Sequence, residues 1–402
     1  MEKIKLLQIN TCTYGSTGTI MLSIGKLASI QEYKTYFAFP NIPQNRNNIV
    51  ENSLLIGTRS EYYIHRILGL LTGLNGCFSI LSTLRFLRKV SKIHPTIIHL
   101  HNLHNCYINL PILFHYLKKQ KIPIIWTLHD CWSFTGQCPH FSAIGCGKWK
   151  TGCYDCPQYM NYPKSIVDQT RLMYKMKSQW FSGVGKIIII TPSQWLANCV
   201  KESFLKDYPV RVIQNGIDLD VFKPTRSSFR LKYNIKNKYI VLGVSFRWSR
   251  QKGLKIFIDL CKTLPEEFQI VLVGVTEKDK KLLPGNCIAL SLTTNAYELA
   301  EIYSTADILL NPSQEETMGL VTVEALACGT PVIVSNLTAV PEVVTLDCGI
   351  VVQDYSSEAF ATVLLDKPRF LSDACIMRAK QFEKTKKYKE YLELYSRLAT
   401  DG

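Results

Sequence analysis

The sequence has 402 residues, enough for two or three domains; 47% of them are hydrophobic and 20% are charged. This balance is typical of a globular protein with a large core, and it excludes a disordered or collagen-like chain. The charge is uneven, because residues 1–200 contain 21 Lys and Arg against 7 Asp and Glu, whereas residues 201–402 contain 26 against 25. One basic half predicts a surface that faces an anionic partner, and we expect no binding to nucleic acid.

The first ten residues lack the long apolar segment of a signal peptide, and no stretch reaches about 18 apolar residues. The 14 cysteines are too few for a disulfide scaffold in a chain of this length. We therefore expect a cytoplasmic protein with reduced thiols and no membrane-spanning helix.

Short apolar runs alternate with helical patterns along the chain. In the first half the runs are Lys5–Ile9, Thr96–Leu100, Pro123–Leu128 and Lys186–Thr191. A glycine turn at Gly15, Ser16 and Gly18 precedes a predicted helix over Ile20–Ala28. In the second half the runs are Tyr239–Val244, Gln269–Val273, Ile288–Leu290, Ile308–Asn311 and Pro331–Val334. Continuous apolar runs are typical of strands buried on both faces of a parallel sheet, so the two series predict two doubly wound α/β domains.

The segment Ile213–Asp218 is rich in turn residues and is the predicted hinge. We predict one Rossmann-like domain over residues 1–213, with a cysteine-rich insertion at about 131–157, and a second Rossmann-like domain over 214–380. Residues 381–402 carry aromatic and leucine side chains at helical spacing, so we expect them to pack back on the N-terminal domain. Ligands of such folds bind at the carboxyl ends of the strands, which predicts a cleft where the two domains face each other.

Residues 62–71 are apolar, and a basic group follows at Arg85, Arg88, Lys89 and Lys92. Such a segment can lie on an anionic membrane face. A buried helix followed by a solvated one would give the same pattern. The basic charge of residues 1–200 independently favours peripheral binding to the inner face of the cytoplasmic membrane.

Two predicted strands end in histidine-containing segments. Alternation places His99 and His101 on one side, which would allow a metal pair, but no acid or thiol nearby completes that site. We expect these two, with His104, to line the cleft or its floor. His129 closes the next strand, and from position alone a structural role is the simpler interpretation.

Four cysteines fall within 19 residues and end in a Cys-x2-Cys pair; they are Cys138, Cys146, Cys153 and Cys156. Thiols at this spacing in a reducing compartment suit a closed, tetrahedral structural zinc site. The alternative is a cysteine-rich but metal-free loop of the first predicted domain.

The strongest motif extends from Asn311 to Val332 and reads as a strand end, a loop and a helix that opens near Gly319. A helix N-terminus offers free N–H groups and a positive dipole end, both of which suit a phosphate, and a glycine lets the backbone approach it closely. Glu316 lies on the loop and Glu324 about one turn into the helix. The two acids can therefore reach different parts of one extended ligand.

The pair Glu316-x7-Glu324, followed by Ala-Leu-Ala-Cys-Gly-Thr-Pro-Val, resembles the signature of family 4 retaining glycosyltransferases of the GT-B fold. The resemblance covers nearly the whole chain, through the glycine turn and the segments Pro192-Ser193, Asn215–Asp218, Arg247–Gly253 and Pro341–Val344. The region from His129 to Pro157 further resembles enzymes of the colanic-acid type, which build bacterial cell-surface polysaccharides.

The resemblance implies that the domain over 1–213 binds the acceptor and the domain over 214–380 binds the donor, and it also implies roles for individual residues. The first glutamate of the motif contacts donor-sugar hydroxyls and the second contacts the ribose, so these roles pass to Glu316 and Glu324. By the same resemblance, His129 lies beside the donor sugar, while Arg247 and Lys252 bind the diphosphate and stabilise charge on the leaving phosphate. Glu316, His129, Arg247 and Lys252 form the implied catalytic set. The other implied donor-binding residues are Gly15, Ser16, Gly18, Met318, Gly319 and Leu320.

The family often has Gly-Phe where this chain has Thr317-Met318. Contacts of that turn's backbone with the donor sugar therefore do not carry over directly from the family. The resemblance implies a retaining enzyme that needs no metal or other cofactor for catalysis. It would move a sugar from a nucleotide diphosphate sugar to a lipid-linked or oligosaccharide acceptor, in the synthesis of a capsule, exopolysaccharide or O-antigen. Two alternatives remain, a sugar-nucleotide epimerase of the same fold and a non-catalytic scaffold that binds nucleotide sugars.

Overall fold

The computed structural model describes residues 3–400 of the chain. They divide into two compact units, one containing the residues up to Gln214 together with those from Lys387 onward, and the other Asn215–Lys386. Each unit is built on one parallel sheet with helices, which confirms the prediction of two doubly wound α/β domains.

The first unit contains a seven-stranded sheet in the order β3-β2-β1-β4-β5-β6-β7 with all neighbours parallel. Its strands are β1 (Lys5–Ile9), β2 (Lys34–Pro40), β3 (Ser53–Ile56), β4 (Ile97–Leu100), β5 (Ile124–Thr127), β6 (Ile187–Thr191) and β7 (Val210–Val212). Its first helices are α1 (Gly15–Ile30), α2 (Pro43–Arg46), α3 (Arg59–Thr72), α4 (Ile80–Ile93), α5 (Leu110–Lys119), α6 (Thr170–Phe181) and α7 (Gln194–Glu202). The strand order reverses between β1 and β4, and ligands of open α/β sheets bind at the carboxyl end of such a reversal.

The second unit contains a six-stranded sheet in the order β10-β9-β8-β11-β12-β13. Its strands are β8 (Tyr239–Val244), β9 (Phe268–Val273), β10 (Ile288–Leu290), β11 (Ile308–Asn311), β12 (Val332–Ser335) and β13 (Gly349–Val352). The helices are α8 (Phe229–Lys232), α9 (Leu254–Thr263), α10 (Glu277–Lys280), α11 (Ala296–Thr305), α12 (Leu320–Ala327), α13 (Ser357–Leu365), α14 (Ser372–Ala379) and α15 (Lys384–Thr400), the last of which continues into the first unit.

The isoleucine run of β6 shows why the central strands are apolar throughout. Ile187 and Ile189 join the hydrophobic core on one face of the sheet, whereas Ile188 and Ile190 pack against the core on the other face. Successive side chains of a strand point to opposite faces, so a strand covered on both sides needs an apolar residue at every position.

Helix α15 contributes its aromatic side chains to the core of the first unit. Tyr388, Tyr391 and Tyr395 are buried there together with Leu6 and Ile97 of the sheet. The spacing of three and four residues places these rings on one side of the helix. Residues from Lys387 onward therefore belong to the first unit in their packing as well as in their contacts.

The predicted glycine turn before the first helix is wrong in detail, because Gly15 is the first residue of α1 and Gly18 lies within its first turn. Gly15 has a φ of +64°, which gives the chain its change of direction at the helix start. A Cβ at position 18 would lie 2.4 Å from the carbonyl carbon of Thr13, so the backbone of the preceding loop packs directly on this glycine.

The apolar stretch 62–71 lies in α3, and only His65 and Gly69 of that helix are buried. The side chains of Ile64 and Ile67 are each 55% exposed, and Leu71 is 50% exposed. This excludes the interpretation of the stretch as a buried helix. No helix within residues 3–400 is both long and apolar enough to cross a bilayer.

Candidate active site

The loop between β11 and α12 carries the strongest sequence motif. β11 ends at Asn311, whose side-chain amide donates to the hydroxyl of Thr322 at 3.0 Å and so ties the strand end to the first turn of α12. Gly319 precedes the helix with a φ of +82°, the left-handed conformation that favours glycine. The free N–H groups and the positive dipole end of α12 therefore lie at this loop, as the sequence predicted.

Lys252 and Glu316 form the central contact of the loop. The Lys252 Nζ lies 2.6 Å from Oε1 of Glu316 and 3.0 Å from the carbonyl oxygen of Glu315. The Glu316 N–H in turn donates to the hydroxyl of Thr338 at 3.1 Å. The Lys252 and Glu316 side chains are 33% and 20% exposed, so the ion pair is partly shielded yet open to a ligand.

Arg247 lies in the loop that follows β8. Its backbone is held by Ser245, whose hydroxyl donates to the Arg247 carbonyl at 2.8 Å and accepts from the Arg247 N–H at 3.3 Å. The side chain is exposed and forms no ion pair with any acid in the described part of the chain. The guanidinium is therefore free to bind an anion.

Glu324 pairs with Tyr303 rather than with a cation. The Tyr303 hydroxyl of α11 donates to Oε2 of Glu324 at 3.0 Å. Burial raises the pKa of the Glu324 carboxyl to about 7, although the bond from Tyr303 acts in the opposite direction. A carboxyl that titrates near neutrality can accept a hydrogen bond from a ribose hydroxyl once it is ionised.

Met318 is buried, and its Sδ accepts from the backbone N–H of Asn215 at 3.1 Å. The thioether packs into the core of the second unit, so any contact of Met318 with a donor is made by its backbone. Leu320 is the first residue of α12 and is only half-buried.

The glycine segment of the first unit forms the start of α1. Gly15 and Ser16 are exposed there, whereas Gly18 is buried against Thr13. The segment follows β1 at the strand reversal of the sheet, the position in which a ligand binds in this class of fold.

His129 follows β5 and is joined to a second histidine. Its Nε2 lies 3.1 Å from Nδ1 of His101, and the two rings are nearly parallel with centroids 5.4 Å apart. Burial lowers the pKa of His129 to about 4, despite the opposite effect of Asp130, so the ring is neutral at physiological pH. The neighbouring Asp130 accepts from His104 Nε2 at 2.9 Å and from the N–H of Trp132 at 2.9 Å, which fixes the turn after the strand.

The possible metal pair at His99 and His101 is not formed. His99 uses both ring nitrogens, because Nδ1 lies 2.6 Å from the Tyr395 hydroxyl and Nε2 lies 2.8 Å from Oγ1 of Thr127. His99 is therefore a core residue that links β4 to β5 and α15.

The four clustered cysteines line one pocket of the first unit. Cys153 accepts a hydrogen bond from the N–H of Gly136 at 3.1 Å. Burial raises the pKa of Cys138 to about 12, with further contributions from the other three thiols. Within residues 3–400, no group of three or more His, Cys, Asp or Glu side chains has the arrangement of a metal site.

The structure brings some of the candidate residues together and adds others. In the second unit Lys252 contacts Glu316, while Glu324 is held by Tyr303. Tyr303 carries no motif that could have identified it, because it lies 21 residues before its partner on another helix. Gln8, a buried strand residue that bonds to His101, was missed for the same reason.

Two family models match consecutive parts of the chain. Glycosyltransferase Family 4 matches residues 56–221, and Glycosyl transferases group 1 matches residues 225–388. The two matched segments therefore follow one another in the order of the two units.

Three curated proteins illustrate the similarity. An Escherichia coli K12 protein described as a colanic acid biosynthesis glycosyl transferase, WcaC, is 28% identical over 287 residues, which are 68% of this chain and 67% of that protein. The processive diacylglycerol alpha-glucosyltransferase of Acholeplasma laidlawii is 30% identical over 37% of this chain and 48% of its own length. A 41.2 kDa protein from the cps region of Klebsiella pneumoniae is 26% identical over 62% of each chain. The chain thus spans about two thirds or less of the length of these relatives.

Solved structures match over the full length. Sucrose-phosphate synthase from Thermosynechococcus elongatus superimposes with a TM-score of 0.72 at 18% identity, covering 100% of both chains. Anabaena Alr3699/HepE, solved with UDP-glucose, gives a TM-score of 0.68 at 17% identity and covers 98% of this chain and 100% of its own. At these sequence identities, the similarity shows that this chain shares the fold of those proteins and nothing further.

Proposed function

The chain is a glycosyltransferase of the family 4 and group 1 type with the GT-B fold, and on this basis we propose that it is a retaining enzyme of cell-surface polysaccharide synthesis. It would transfer a sugar from a nucleotide diphosphate sugar to a lipid-linked or oligosaccharide acceptor. The similarity to WcaC and to the protein from the cps region supports the polysaccharide context.

The ion pair between Lys252 and Glu316 carries this proposal. It supports the proposal because Lys252 could bind a diphosphate and Glu316 could bind sugar hydroxyls, and Glu316 shortly precedes the N-terminus of α12, which itself attracts phosphate. Arg247 supplies a second, unpaired cation on the loop after β8. Glu324 would accept a hydrogen bond from a ribose hydroxyl. This bond would either replace or accompany the hydrogen bond from the Tyr303 hydroxyl.

In the proposed reaction, the bond between the anomeric carbon and the leaving phosphate oxygen breaks. The bond from the acceptor oxygen to that carbon forms on the same face, and the acceptor proton moves to the leaving phosphate. Arg247, Lys252 and the α12 N-terminus would stabilise the charge that develops on the phosphate, and Glu316 would orient the sugar.

The proposed chemistry needs no metal ion. The spacing Asp-x-Asp, which many metal-dependent transferases use, occurs at Asp218 and Asp220, but the Asp218 side chain is engaged locally. Asp218 forms an ion pair with Lys384 and accepts from the N–H of Asp220 at 3.1 Å. We therefore expect activity to survive a chelator such as EDTA.

The proposed function is tested with Glu316→Gln. We expect thermal shifts with a panel of nucleotide diphosphates to identify the nucleotide, and transfer from the matching nucleotide sugars to identify the donor. The substitution removes a sugar-orienting carboxylate and should lower the rate about 10²- to 10³-fold while the protein remains folded. A folded variant with wild-type turnover would contradict the assignment.

We also propose that the first unit binds an anionic membrane, where a lipid-linked acceptor would lie. Helices α3 and α4 expose apolar residues, among them Ile64, Ile67, Ile80 and Leu81. Basic side chains accompany them at Arg66, Arg85, Arg88, Lys89 and Lys92. Apolar contact plus basic charge is the combination that holds peripheral proteins on anionic lipid.

We propose separately that the cysteine pocket holds a structural zinc ion, which would have to draw the thiols together, because they do not have the arrangement of a metal site within residues 3–400. The four thiols line one pocket, and an N–H bond to sulfur such as that of Gly136 stabilises a thiolate. We expect about one zinc per chain in protein purified under reducing conditions without chelator, and its loss in Cys153→Ser, with Cys287→Ser as the control. A stoichiometry near zero in the unmodified protein would exclude the site.

A further inference from the structure

Tyrosine side chains surround the loop that follows β4 in the first unit. Tyr14 directly precedes α1, Tyr62 lies in α3, and Tyr162 lies in the segment before α6. Burial raises the pKa of Tyr162 and of Tyr62; Tyr62 raises the former further, as Tyr14 does the latter, so the three phenol groups are neighbours. Tyr14 follows β1 and the loop follows β4, and the strand order reverses between these two strands. The tyrosines therefore lie where ligands of open α/β sheets bind.

Tyr162 is held by hydrogen bonds at its hydroxyl end. The hydroxyl lies 2.9 Å from Nδ1 of His104, and the two rings are nearly perpendicular. Nε2 of His104 donates to Oδ2 of Asp130 at 2.9 Å, and Oδ1 of Asp130 accepts from the N–H of Trp132 at 2.9 Å. Burial would raise the pKa of Asp130, but the charge and hydrogen bond of His104, with smaller contributions, outweigh burial and lower that pKa to about 2. The ionised Asp130 thus fixes His104 and, through it, Tyr162.

Tyr162 is oriented in the opposite way to an ordinary surface tyrosine. A tyrosine at a protein surface usually buries its ring and leaves its polar tip in water. Here the hydroxyl is bonded to a histidine that is only 7% exposed, whereas Tyr162 itself is 53% exposed. Much of the apolar ring therefore faces solvent. A ligand that covered this ring would gain the free energy of apolar burial, and the fixed side chain would lose little conformational entropy.

The loop beside Tyr162 is strained, as ligand-binding loops often are. Asn105 and Cys106 are consecutive non-glycine residues with φ of +87° and +62°. Such conformations persist only where the surroundings enforce them, and they cluster at functional sites. Tyr62 is part of these surroundings, because its hydroxyl donates to Oδ1 of Asn105 at 3.4 Å. The loop that carries His104 is therefore held in one conformation next to the tyrosines.

The phenol of Tyr162 keeps one hydrogen-bonding capacity for a ligand. Among residues 3–400, His104 is the one hydrogen-bond partner of its hydroxyl. If Nδ1 of His104 is an acceptor, the phenol donates to it and its oxygen can still accept; if Nδ1 is protonated, the phenol accepts and can still donate. A sugar hydroxyl can donate and accept, so it satisfies Tyr162 in both cases. An ionised phosphate fits only the second case, and a hydrocarbon chain fits neither.

We propose that Tyr162 is the centre of a saccharide-binding site on the first unit. Its ring would stack on the apolar face of a pyranose ring, and its hydroxyl would bond to a sugar hydroxyl. Tyr14 and Tyr63 are also exposed and extend the aromatic surface, and Tyr63 contacts the ring of Tyr62 edge-on, with centroids 5.6 Å apart. This inference rests on the proposed function only in making the saccharide a part of the acceptor.

The site is tested with methyl pyranosides, which carry neither a nucleotide nor a lipid. The probes are the α- and β-methyl glycosides of glucose, galactose, mannose, N-acetylglucosamine, fucose and glucuronic acid. Saturation-transfer difference NMR of the full chain, with the aromatic protons saturated, detects a sugar that stacks on a tyrosine through the ring protons of its apolar face. We expect such signals from at least one glycoside. Their absence from every glycoside with the unmodified protein would overturn the proposal.

Two substitutions separate the ring of Tyr162 from its hydroxyl. Tyr162→Ala removes both and should abolish the signals. Tyr162→Phe keeps the ring, so the same sugar protons should give signals while the affinity falls about three- to tenfold, the usual effect of one hydrogen bond. Tyr297→Ala is the control, because this similarly exposed tyrosine lies in the second unit and its removal should leave signals and affinity unchanged.

The outcomes distinguish this site from the proposed function. Signals that persist in folded Tyr162→Ala would show that the sugar binds elsewhere and would overturn the proposal, as would unchanged affinity in Tyr162→Phe. If Tyr162→Ala does not fold, Tyr162→Phe decides. Affinity for the nucleotide diphosphate should not change in either variant, and a loss equal to that for the glycoside would also overturn the proposal. If the unmodified protein binds a glycoside but transfers no sugar from any nucleotide sugar, the proposed function fails while the saccharide site stands.

Discussion

Lys252 and Arg247 follow the same strand of the second unit, yet only Lys252 is paired in the structure. Arg247 is free, so Arg247→Ala should weaken binding of the nucleotide diphosphate about tenfold or more without affecting stability, because it removes charge-assisted bonds to phosphate. Lys252→Ala should weaken binding and also lower the melting temperature, since it leaves Glu316 unpaired in a partly buried position. Lys255→Ala, three residues away and exposed, is the control.

Calorimetry with the nucleotide diphosphate and with its bare nucleoside distinguishes the phosphate role. Both substitutions should reduce affinity for the diphosphate far more than for the nucleoside. Equal losses for the two ligands would show that these cations act elsewhere.

Glu324 predicts a particular dependence of stability on pH. Its pKa rises to about 7 in the fold from 4.5, so the folded state holds more protons than the unfolded state between these values. The contribution of this group to the free energy of unfolding is therefore greatest below pH 4.5 and falls as pH rises through 7. The side chain of the Glu324→Gln variant cannot ionise, so the variant lacks this loss of stability with rising pH. The free energy of unfolding of Glu324→Gln minus that of the unmodified protein should therefore increase by about 1 to 3 kcal/mol from pH 5 to pH 8. Denaturant titrations at the two pH values measure the difference, and no change with pH would contradict the raised pKa.

For individual residues, the sequence indicated which side chains belong to the site but not which contacts they make. Glu316 and Lys252 were assigned to the donor from their motifs, and their placement in one ion pair depends on a contact across 64 residues. Tyr303 and Gln8 could not be identified, because a tyrosine in a helix and a glutamine in a strand gain their roles only from a distant partner.

The element that carries the phosphate-binding proposal is α12, whose start depends on Gly319. A side chain there would meet no atom closer than 3.5 Å, so the effect of a substitution comes from the backbone conformation with φ of +82°. Gly319→Ala should lower the free energy of unfolding by about 1 to 2 kcal/mol through that conformation. Gly285→Ala is the control, since it has open space and no left-handed backbone. Equal stability of the two variants would show that the turn can relax.

Strands with strong apolar runs were predictable, and those defined by their neighbours were not. β1 was predicted with the bounds that the structure shows, as were β8, β10 and β11. The strands β2, β3, β7 and β13 were missed. Lys34–Pro40 contains a charged residue and ends in proline, and the other three strands are only three or four residues long. β2 becomes a strand by pairing with β1, and β3 by pairing with β2, which is a tertiary effect.

The whole molecule shows the charge asymmetry that its sequence indicated. Nearly all of the excess positive charge lies in residues 1–200, although the proposed phosphate-binding cations lie in the second unit. A basic surface that only served the nucleotide would be expected on the second unit. The exposed apolar side chains of α3 and α4 lie in the basic half, which favours a lipid surface over a soluble anion as its partner.

We therefore expect the protein to bind anionic vesicles at low salt and to be released at high salt or from neutral vesicles. Reversal of the exposed Arg85, Arg88 and Lys89 to glutamate should lower the partition coefficient about a hundredfold or more, because each basic side chain near such a surface contributes about 1 kcal/mol. The matched control reverses the exposed Lys118, Lys119 and Lys121, which changes the net charge equally at another site. If both triple variants lose binding to the same extent, net charge alone is responsible and α4 is not the contact. Sedimentation that is independent of lipid charge and salt would instead exclude an electrostatic membrane surface.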